Sequence, residues 1–375
     1  ADAAQAPEEG RDAPHTPTER RLARAWAEVL GTGEEQVGRR DHFFGRGGTS
    51  LSALKLVIAL DRAVTLKELT SHPVLADLAE LLDERGELNE NEDEDEDEDE
   101  DEGGGGGGGG LLHTLAEPVG EAVGHLVCFP FAGGGAVAFR AMAQVLGAGG
   151  FAVHAVELPG HDPADDQRPF APLEEVARQA ADEIARRGLA GVALWGQAAG
   201  AAYAVATARL LQERQVHVQR VFVGAQLLGD AADRRAAAEA LLARSDAEIV
   251  KELSADNDGE AAGAAGAFSS LGALDTAHAE RVGAAYRHDC VAAHRYFADA
   301  LEHPPTTRLT APVTLVLADD DPFTVDGIHR LDDWRLLADH VEWCRLPDGG
   351  HYFPHTRPTE AARAVLATTA ASTPS

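Results

Sequence analysis

Two hydrophobic periods divide this chain. From residue 16 to 84 apolar positions recur at helical spacing. Thr16-Pro17-Thr18-Glu19 has the form of a capping box with proline at the first helical position, and opens a helix through Leu22, Trp26 and Leu30. A second helix carries Leu51, Leu54, Val57, Ile58 and Leu60, and two short helices fit Leu66–Thr70 and Pro73–Asp83. A small four-helix domain over 16–84 is the expectation. After residue 113 the pattern changes. Short apolar runs at His125–Phe129, Ala152–Val156, Val192–Trp195, Val218–Val223, Val313–Leu317 and Val341–Cys344 read as strands. Helical segments separate them, notably Phe139–Leu146, Leu173–Arg187 and Ala201–Glu213. Such alternation predicts a mainly parallel sheet with helices on both faces, here over 113–368. One stretch interrupts it. Leu227–Leu309 is Ala-rich, helical over Ala231–Leu242, Asp246–Leu253 and Ala277–Leu301, and without a convincing strand. It is too long for a plain connection and reads as a lid over a pocket.

Between the two patterns lies Glu90–Gly110, an acidic block followed by eight glycines. Like charges repel and glycine gains little from ordering, so residues 85–112 read as a disordered linker. Its 21-residue core reaches up to roughly 70 Å when extended. Residues 1–15 and 369–375 read as flexible ends. Glu90 and the run Glu92–Glu102 supply 12 acidic residues toward a net charge of −31, which argues against nucleic-acid binding. The chain opens ADAAQ without Met, suggesting a piece of a longer protein, and no signal peptide or membrane-length apolar run is visible. The three cysteines, Cys128, Cys290 and Cys344, form neither a disulfide framework nor a metal-ligand spacing. A cytoplasmic protein without a metal is expected.

The strand ending Val192-Ala193-Leu194-Trp195 runs directly into Gly196-Gln197-Ala198-Ala199-Gly200 and then a small-residue helix. That is the setting of the nucleophile elbow, G-x-S-x-G, whose glycines permit a sharp strand–turn–helix. The nucleophile position holds alanine. The elbow is present and its hydroxyl is absent.

The loop Asp41-His42-Phe43-Phe44-Gly45-Arg46-Gly47-Gly48-Thr49-Ser50-Leu51 resembles the D-x-F-F-x-x-G-G-x-S-L signature of peptidyl carrier proteins of non-ribosomal peptide synthetases. The resemblance implies that Ser50 bears 4′-phosphopantetheine. The residues agree: glycines leave a transferase access, and a serine opening a helix holds a phosphodiester beside the positive helix end. A serine at that place also serves as a plain helix cap.

Residues 122–368 resemble the thioesterases of peptide and polyketide synthetases, within the α/β-hydrolase fold. Val127-Cys128-Phe129-Pro130-Phe131-Ala132-Gly133-Gly134-Gly135 is similar to their first strand and oxyanion loop, and Val156-Glu157-Leu158-Pro159-Gly160-His161 to their L-P-G-R/H segment. Tyr286-Arg287-His288-Asp289 is similar to the lid R-x-D of stand-alone, type II thioesterases. In the chain order of such triads, Ala318-Asp319-Asp320-Asp321-Pro322 resembles G-D-x-D-P and points to Asp321, with Asp319 and Asp320 as rivals. Leu346-Pro347-Asp348-Gly349-Gly350-His351 resembles G-G-H and points to His351. The backbone N–H groups of Ala132 and Ala199 are the expected oxyanion donors. Cys290, near His288, reads as a small buried lid cysteine, with a substitute nucleophile as the alternative.

The resemblances together imply the carrier–thioesterase end of a non-ribosomal peptide synthetase. An acyl or peptidyl thioester on the phosphopantetheine of Ser50 would be released by hydrolysis or cyclisation. Partners would be upstream adenylation and condensation domains, a phosphopantetheinyl transferase and the carrier-bound substrate, with neither nucleic acid nor membrane. Two origins of Ala198 stay open: a deliberate Ser→Ala substitution that traps an acyl-carrier complex, or a natural thioesterase-like platform presenting a carrier-bound amino acid to tailoring enzymes. A carboxylester hydrolase with an unrelated fused carrier is a third reading.

Overall fold

The computed structural model describes residues 13–48, 50–60, 63–85, 110–118, 120–162, 168–255, 268, 271, 274 and 276–370. The chain forms two compact units, with the main division between Gly109 and Gly110. The acidic and glycine stretch expected as a linker lies outside the described residues up to residue 109, as do residues 1–12 and 371–375 of the expected flexible ends.

The N-terminal unit holds α1 (Pro17–Leu30), α2 (Ser50–Ala59), α3 (Leu66–Ser71) and α4 (Leu75–Arg85). Thr16 caps α1 by accepting the Glu19 N–H at 3.0 Å. Glu19 itself is buried, and the Arg39 guanidinium at 2.8 Å answers its charge. The predicted face of α1 is the one that packs: Leu22 and Trp26 are fully buried, as are Val57 of α2 and Leu60 just beyond it. The Leu51 and Leu54 side chains lie outside what the structure describes. Phe43 sets its ring edge against Trp26 at 5.1 Å between centroids, and burying such a side chain stabilises by about 2 kcal/mol. The fourth helix starts later than expected. Pro73 instead gives its carbonyl to the Phe43 N–H (2.7 Å) and Val74 pairs with His42, so the segment ties the 41–48 loop down before the helix begins.

The C-terminal unit is a seven-stranded sheet among the described residues, ordered β1 (Leu112–Ala116), β3 (Phe151–Val156), β2 (Gly124–Phe129), β4 (Val192–Gln197), β5 (Val218–Gly224), β6 (Val313–Ala318), β7 (Val341–Leu346). β1 is antiparallel to β3 and every other pair is parallel. Alternate residues feed the two faces. Val192 and Leu194 of β4 join a core with α6 (Leu173–Arg186) and α7 (Gly200–Glu213); Ala193 and Trp195 join the opposite one with α5 (Arg140–Ala148) and α12 (Pro358–Ala370). The six expected strands are all present. β1 was not anticipated, because Leu112-His113-Thr114-Leu115-Ala116 is short and follows directly on the glycine run. α12 likewise extends to Ala370, into the stretch expected as a tail.

Between β5 and β6 lie α8 (Ala231–Leu242), α9 (Asp246–Ala255) and α10 (Thr276–Glu302), and no strand occurs among the described residues there. α8 and α9 pack on α10, and α10 packs on α7. Residues 256–267 of this stretch lie outside the described residues.

The crossing that matters most is at the start of α7. A Cβ on Gly200 would lie 2.4 Å from the carbonyl oxygens of both Phe129 and Pro130, which are backbone and cannot turn away. Gly200→Ala is therefore expected to destabilise the chain by about 3 kcal/mol in urea unfolding. Gly188→Ala changes an exposed turn residue at φ +65° with open space around it, and should cost about 1 kcal/mol. Equal shifts for the two would mean that the α7–β2 crossing is not tight.

Candidate active site

β4 turns into α7 through a single residue. Ala198 has φ +49°, in the left-handed region that a residue with a Cβ enters at a cost on the order of 1 kcal/mol or more. Bonds on both sides enforce it: the Ala198 N–H donates to Gly224 O at 2.8 Å, and its carbonyl accepts from the Ala201 N–H at 3.0 Å. Ala198 and Ala199 line a cavity of about 520 Å³ together with Ala132 and His351. Among the described residues, neither the Ala132 N–H nor the Ala199 N–H has an acceptor. The two residues expected to supply oxyanion donors thus line the same cavity as the elbow.

His351 comes from the turn after β7. Its Nδ1 lies 3.1 and 3.2 Å from the two carboxylate oxygens of Asp321. Asp321 is fully buried and further held by the Phe323 N–H (3.0 Å) and the Thr324 hydroxyl (2.9 Å), so its orientation is fixed without the imidazole. The rivals do other work. Asp319 pairs with Arg345, whereas Asp320 accepts from the N–H groups of Gly349 and Gly350 at 3.1 and 2.8 Å and so shapes the turn that presents His351. Nδ1 being engaged, Nε2 is the ring nitrogen left for chemistry.

The remaining cavity wall near the elbow is aromatic, from Phe131, Tyr286, Phe323 and Tyr352. Phe323 stands edge-on to the His351 ring at 4.8 Å and remains 69% exposed, so it forms part of the cavity rim. Cys290 lines the cavity too. Burial, with Asp289's charge beside it, pushes its thiol up to about 12, which leaves it protonated and a poor nucleophile at neutral pH.

In the N-terminal unit, Ser50 is the first residue of α2. Gly48 before it cannot be another residue: a Cβ would lie 2.6 Å from the buried Phe43 ring. Gly47, at φ +92°, has open space where a side chain would be. A helix-opening serine behind a loop clear on one side fits a covalently attached phosphodiester.

Residues 124–369 match the Thioesterase domain family, and residues 20–82 match the Phosphopantetheine attachment site family. The chain belongs to the thioesterase family. Its N-terminal unit is a carrier domain whose cofactor is 4′-phosphopantetheine. The thioesterase unit has the fold of BorB, the type II thioesterase of the borrelidin cluster, with a TM-score of 0.53, 24% identity, and 69% of this chain and 97% of that one covered. It is similar to the RedJ thioesterase of the prodiginine pathway in Streptomyces coelicolor, at 27% identity and TM-score 0.52 over 68% of this chain and 94% of that one. The carrier part is 45% identical over 83 residues to Nonribosomal peptide synthetase 7 of Gibberella zeae, covering 21% of this chain. The chain spans 2% of that synthetase's length.

Two parts of the thioesterase site were not legible beforehand. Gln197, fully buried inside the elbow motif, donates from Nε2 to the His351 carbonyl at 2.6 Å and accepts from Trp195 Nε1 at 3.2 Å. It links the elbow to the histidine turn across 154 residues of sequence, and the motif treats its position as free. The other is the partner set of Asp289, whose motif is visible in the sequence while its contacts are not. Asp289 Oδ2 lies 2.9 Å from His161 Nε2 and 2.9 Å from the Gly133 nitrogen.

This buried pair has consequences for stability. Burial works against a charge on His161, but the Asp289 carboxylate and the bond to it hold the imidazole pKa above its ordinary value. Burial would likewise raise Asp289; the His161 charge and bonds from His161, His288 and the Gly133 N–H hold it well below the usual carboxylate range. The His161 contribution is therefore full below its unfolded pKa of about 6.5 and is lost as pH rises through the raised folded value. The Asp289 contribution is full above about 3.9 and is lost as pH falls. Urea midpoints of the thioesterase unit should decline as pH rises above about 6.5, and His161→Gln should flatten that decline. An unchanged slope in the variant would assign the decline to other groups.

Proposed function

We propose that this chain is the carrier–thioesterase part of a non-ribosomal peptide synthetase, built to release an acyl or peptidyl group from the carrier, with Ala198 standing where an active parent has serine. The observation that carries the reading is His351, held from behind by buried Asp321, lining one cavity with a left-handed elbow residue and with Ala132 and Ala199, whose backbone N–H groups have no acceptor among the described residues. Phosphopantetheine on Ser50 supplies the thiol that holds the acyl group and the reach that delivers it.

With serine at 198, His351 Nε2 takes the hydroxyl proton while the oxygen forms a bond to the thioester carbonyl carbon. The Ala132 and Ala199 N–H groups stabilise the oxyanion. The C–S bond then breaks, and the thiol leaves with the proton that His351 returns. Water, deprotonated by the same imidazole, or an internal nucleophile of the acyl chain completes release. Asp321 holds the tautomer with Nδ1–H toward itself and stabilises the imidazolium throughout. Helices α8–α10 act as the lid of the cavity.

With alanine the sequence stops before the first bond forms, so the chain holds a loaded acyl group without accepting it. The same alanine favours a second reading, a natural platform that presents carrier-bound groups to other enzymes. Under either reading the carrier's partners are upstream adenylation and condensation domains and a phosphopantetheinyl transferase, in the cytoplasm.

Single-turnover release of a radiolabelled acyl group from the carrier separates the two. Ala198→Ser is expected to speed release by at least about 10³-fold, since losing a triad nucleophile can cost about 10⁶. In that background His351→Ala should cost nearly the whole gain, and Asp321→Asn about 10-fold to 100-fold less than His351→Ala. Ser50→Ala should abolish the mass gain from coenzyme A and a transferase. No acceleration by Ala198→Ser across several acyl groups would favour the platform.

A further inference from the structure

The lid helix α10 reaches the oxyanion loop through one side chain. Asp289 is 1% exposed and gathers four donors. Its Oδ2 accepts from the Gly133 N–H and from His161 Nε2, each at 2.9 Å; its Oδ1 faces His288 Nδ1 at 3.1 Å and the Tyr203 hydroxyl at 3.3 Å. Gly133 belongs to the loop after β2, His161 to the loop after β3 and Tyr203 to α7. Arg281, two turns earlier, adds bonds to the carbonyls of Gly160 (3.1 Å) and Arg168 (2.8 Å), so α10 grips the loop after β3 twice. The helix also lies hard against the oxyanion loop, because a Cβ on Gly133 would meet the Tyr286 backbone nitrogen at 3.3 Å.

The Gly133 N–H belongs to the peptide plane that begins at Ala132. Holding that plane anchors the carbonyl end of Ala132, so the Ala132 N–H at the other end of the same residue can turn only through that residue's own φ and ψ. We propose that Asp289 is a positioning residue that aims the Ala132 N–H at the oxyanion, so that the oxyanion hole is complete only while α10 is seated. This rests on the thioesterase mechanism above for its catalytic consequence, but not for its structural one. A carboxylate suits the post because it accepts on both oxygens, whereas an asparagine must turn an NH₂ toward one pair of donors. The buried charge is answered by His161, whose pKa is raised beside it.

The test uses the full chain in two forms. In the Ala198→Ser form, Asp289→Asn is expected to lower kcat about 10-fold to 100-fold with KM within about 3-fold, since an oxyanion donor acts in the transition state. Tyr203→Phe, which removes the longest of the four contacts, should lower kcat less than about 3-fold, and His161→Gln should fall between the two. A role limited to folding would lower thermal stability and the active fraction without this split between kcat and KM. In the Ala198 form, with ¹⁵N-glycine labelling, the Gly133 amide resonance should lie downfield and move upfield in Asp289→Asn. Should Asp289→Asn fail to fold, the graded losses in His161→Gln and Tyr203→Phe and their Gly133 shifts carry the test. A rise in KM with kcat unchanged, or a Gly133 resonance that does not move, overturns the proposal. If Ala198→Ser is inactive in every background, the thioesterase mechanism fails, while the Gly133 shift still decides whether Asp289 holds the loop.

Discussion

The turn at residue 198 is the constraint on which the C-terminal unit depends. A central strand must become a helix within one residue, and the helix must start against the end of β2, where Gly200 meets two carbonyls at a distance no Cβ tolerates. Everything chemical follows from that placement. It leaves the Ala199 N–H at the start of a helix, without an acceptor among the described residues, and Ala199 lines the same cavity as Ala132 of the adjoining loop. It also puts the residue at 198 at the base of the cavity that His351 overlooks. Alanine gains nothing from a left-handed backbone, for it has no polar atom to bond locally and no freedom of the kind glycine has. The strain is retained while the group that would use it is missing, and on the proposed reading this is why serine belongs there.

The second organising interaction is ionic and lies on the lid side. Most charged pairs of this chain are exposed, and such pairs contribute at most about 1 kcal/mol. The Asp289–His161 pair is different in kind: both side chains are almost wholly buried, with 1% and 5% exposure, and the carboxylate has further donors. Breaking a buried pair from one side leaves an uncompensated charge, which costs about 3–5 kcal/mol. A lid helix held this way is specified in position, whereas one held by alanine packing alone could slide. α10 is rich in alanine, so the polar anchor supplies the register that its apolar face lacks.

How much of this the sequence discloses depends on whether the information is local. Strands β2 to β7 are visible because each is a short apolar run between turn signals, and α7 because small residues follow the elbow at once. β1 escapes notice because its status as a strand comes from pairing with β3 some 40 residues later, not from its own composition. The proposed triad acid shows the same limit in part. The resemblance points to the third of three consecutive aspartates, while the fold gives Arg345 to the first, the glycine turn to the second and His351 to the third. Gln197 and Asp289 act through partners 154 and 156 residues away, and no window along the chain contains both ends of either contact.

The cavity itself narrows what the proposed thioesterase can hold. At about 520 Å³ it falls inside the range of about 300–1,000 Å³ typical of sites for sizeable small molecules, more than an acetyl group would need. Its walls are not uniform. Aromatic rings surround the elbow, whereas Arg234 and His294 bring polar atoms to the wall formed by α8 and α10. Arg234 is 7% exposed, bonds the carbonyls of Leu227 and Leu228, and lies over the Phe297 ring, with no carboxylate partner among the described residues. Burial, and then the Arg234 charge, lower the pKa of His294 to about 4, so the imidazole is neutral where the guanidinium is charged. On the proposed reading, an acyl chain extending from the elbow therefore passes from an apolar wall to a polar one, where Asp233 stands beside Arg234 and His294. Arg234 stands on α8 and His294 on α10, the helix that also carries Asp289, so the polar cavity wall and the proposed positioning residue both belong to the insertion between β5 and β6.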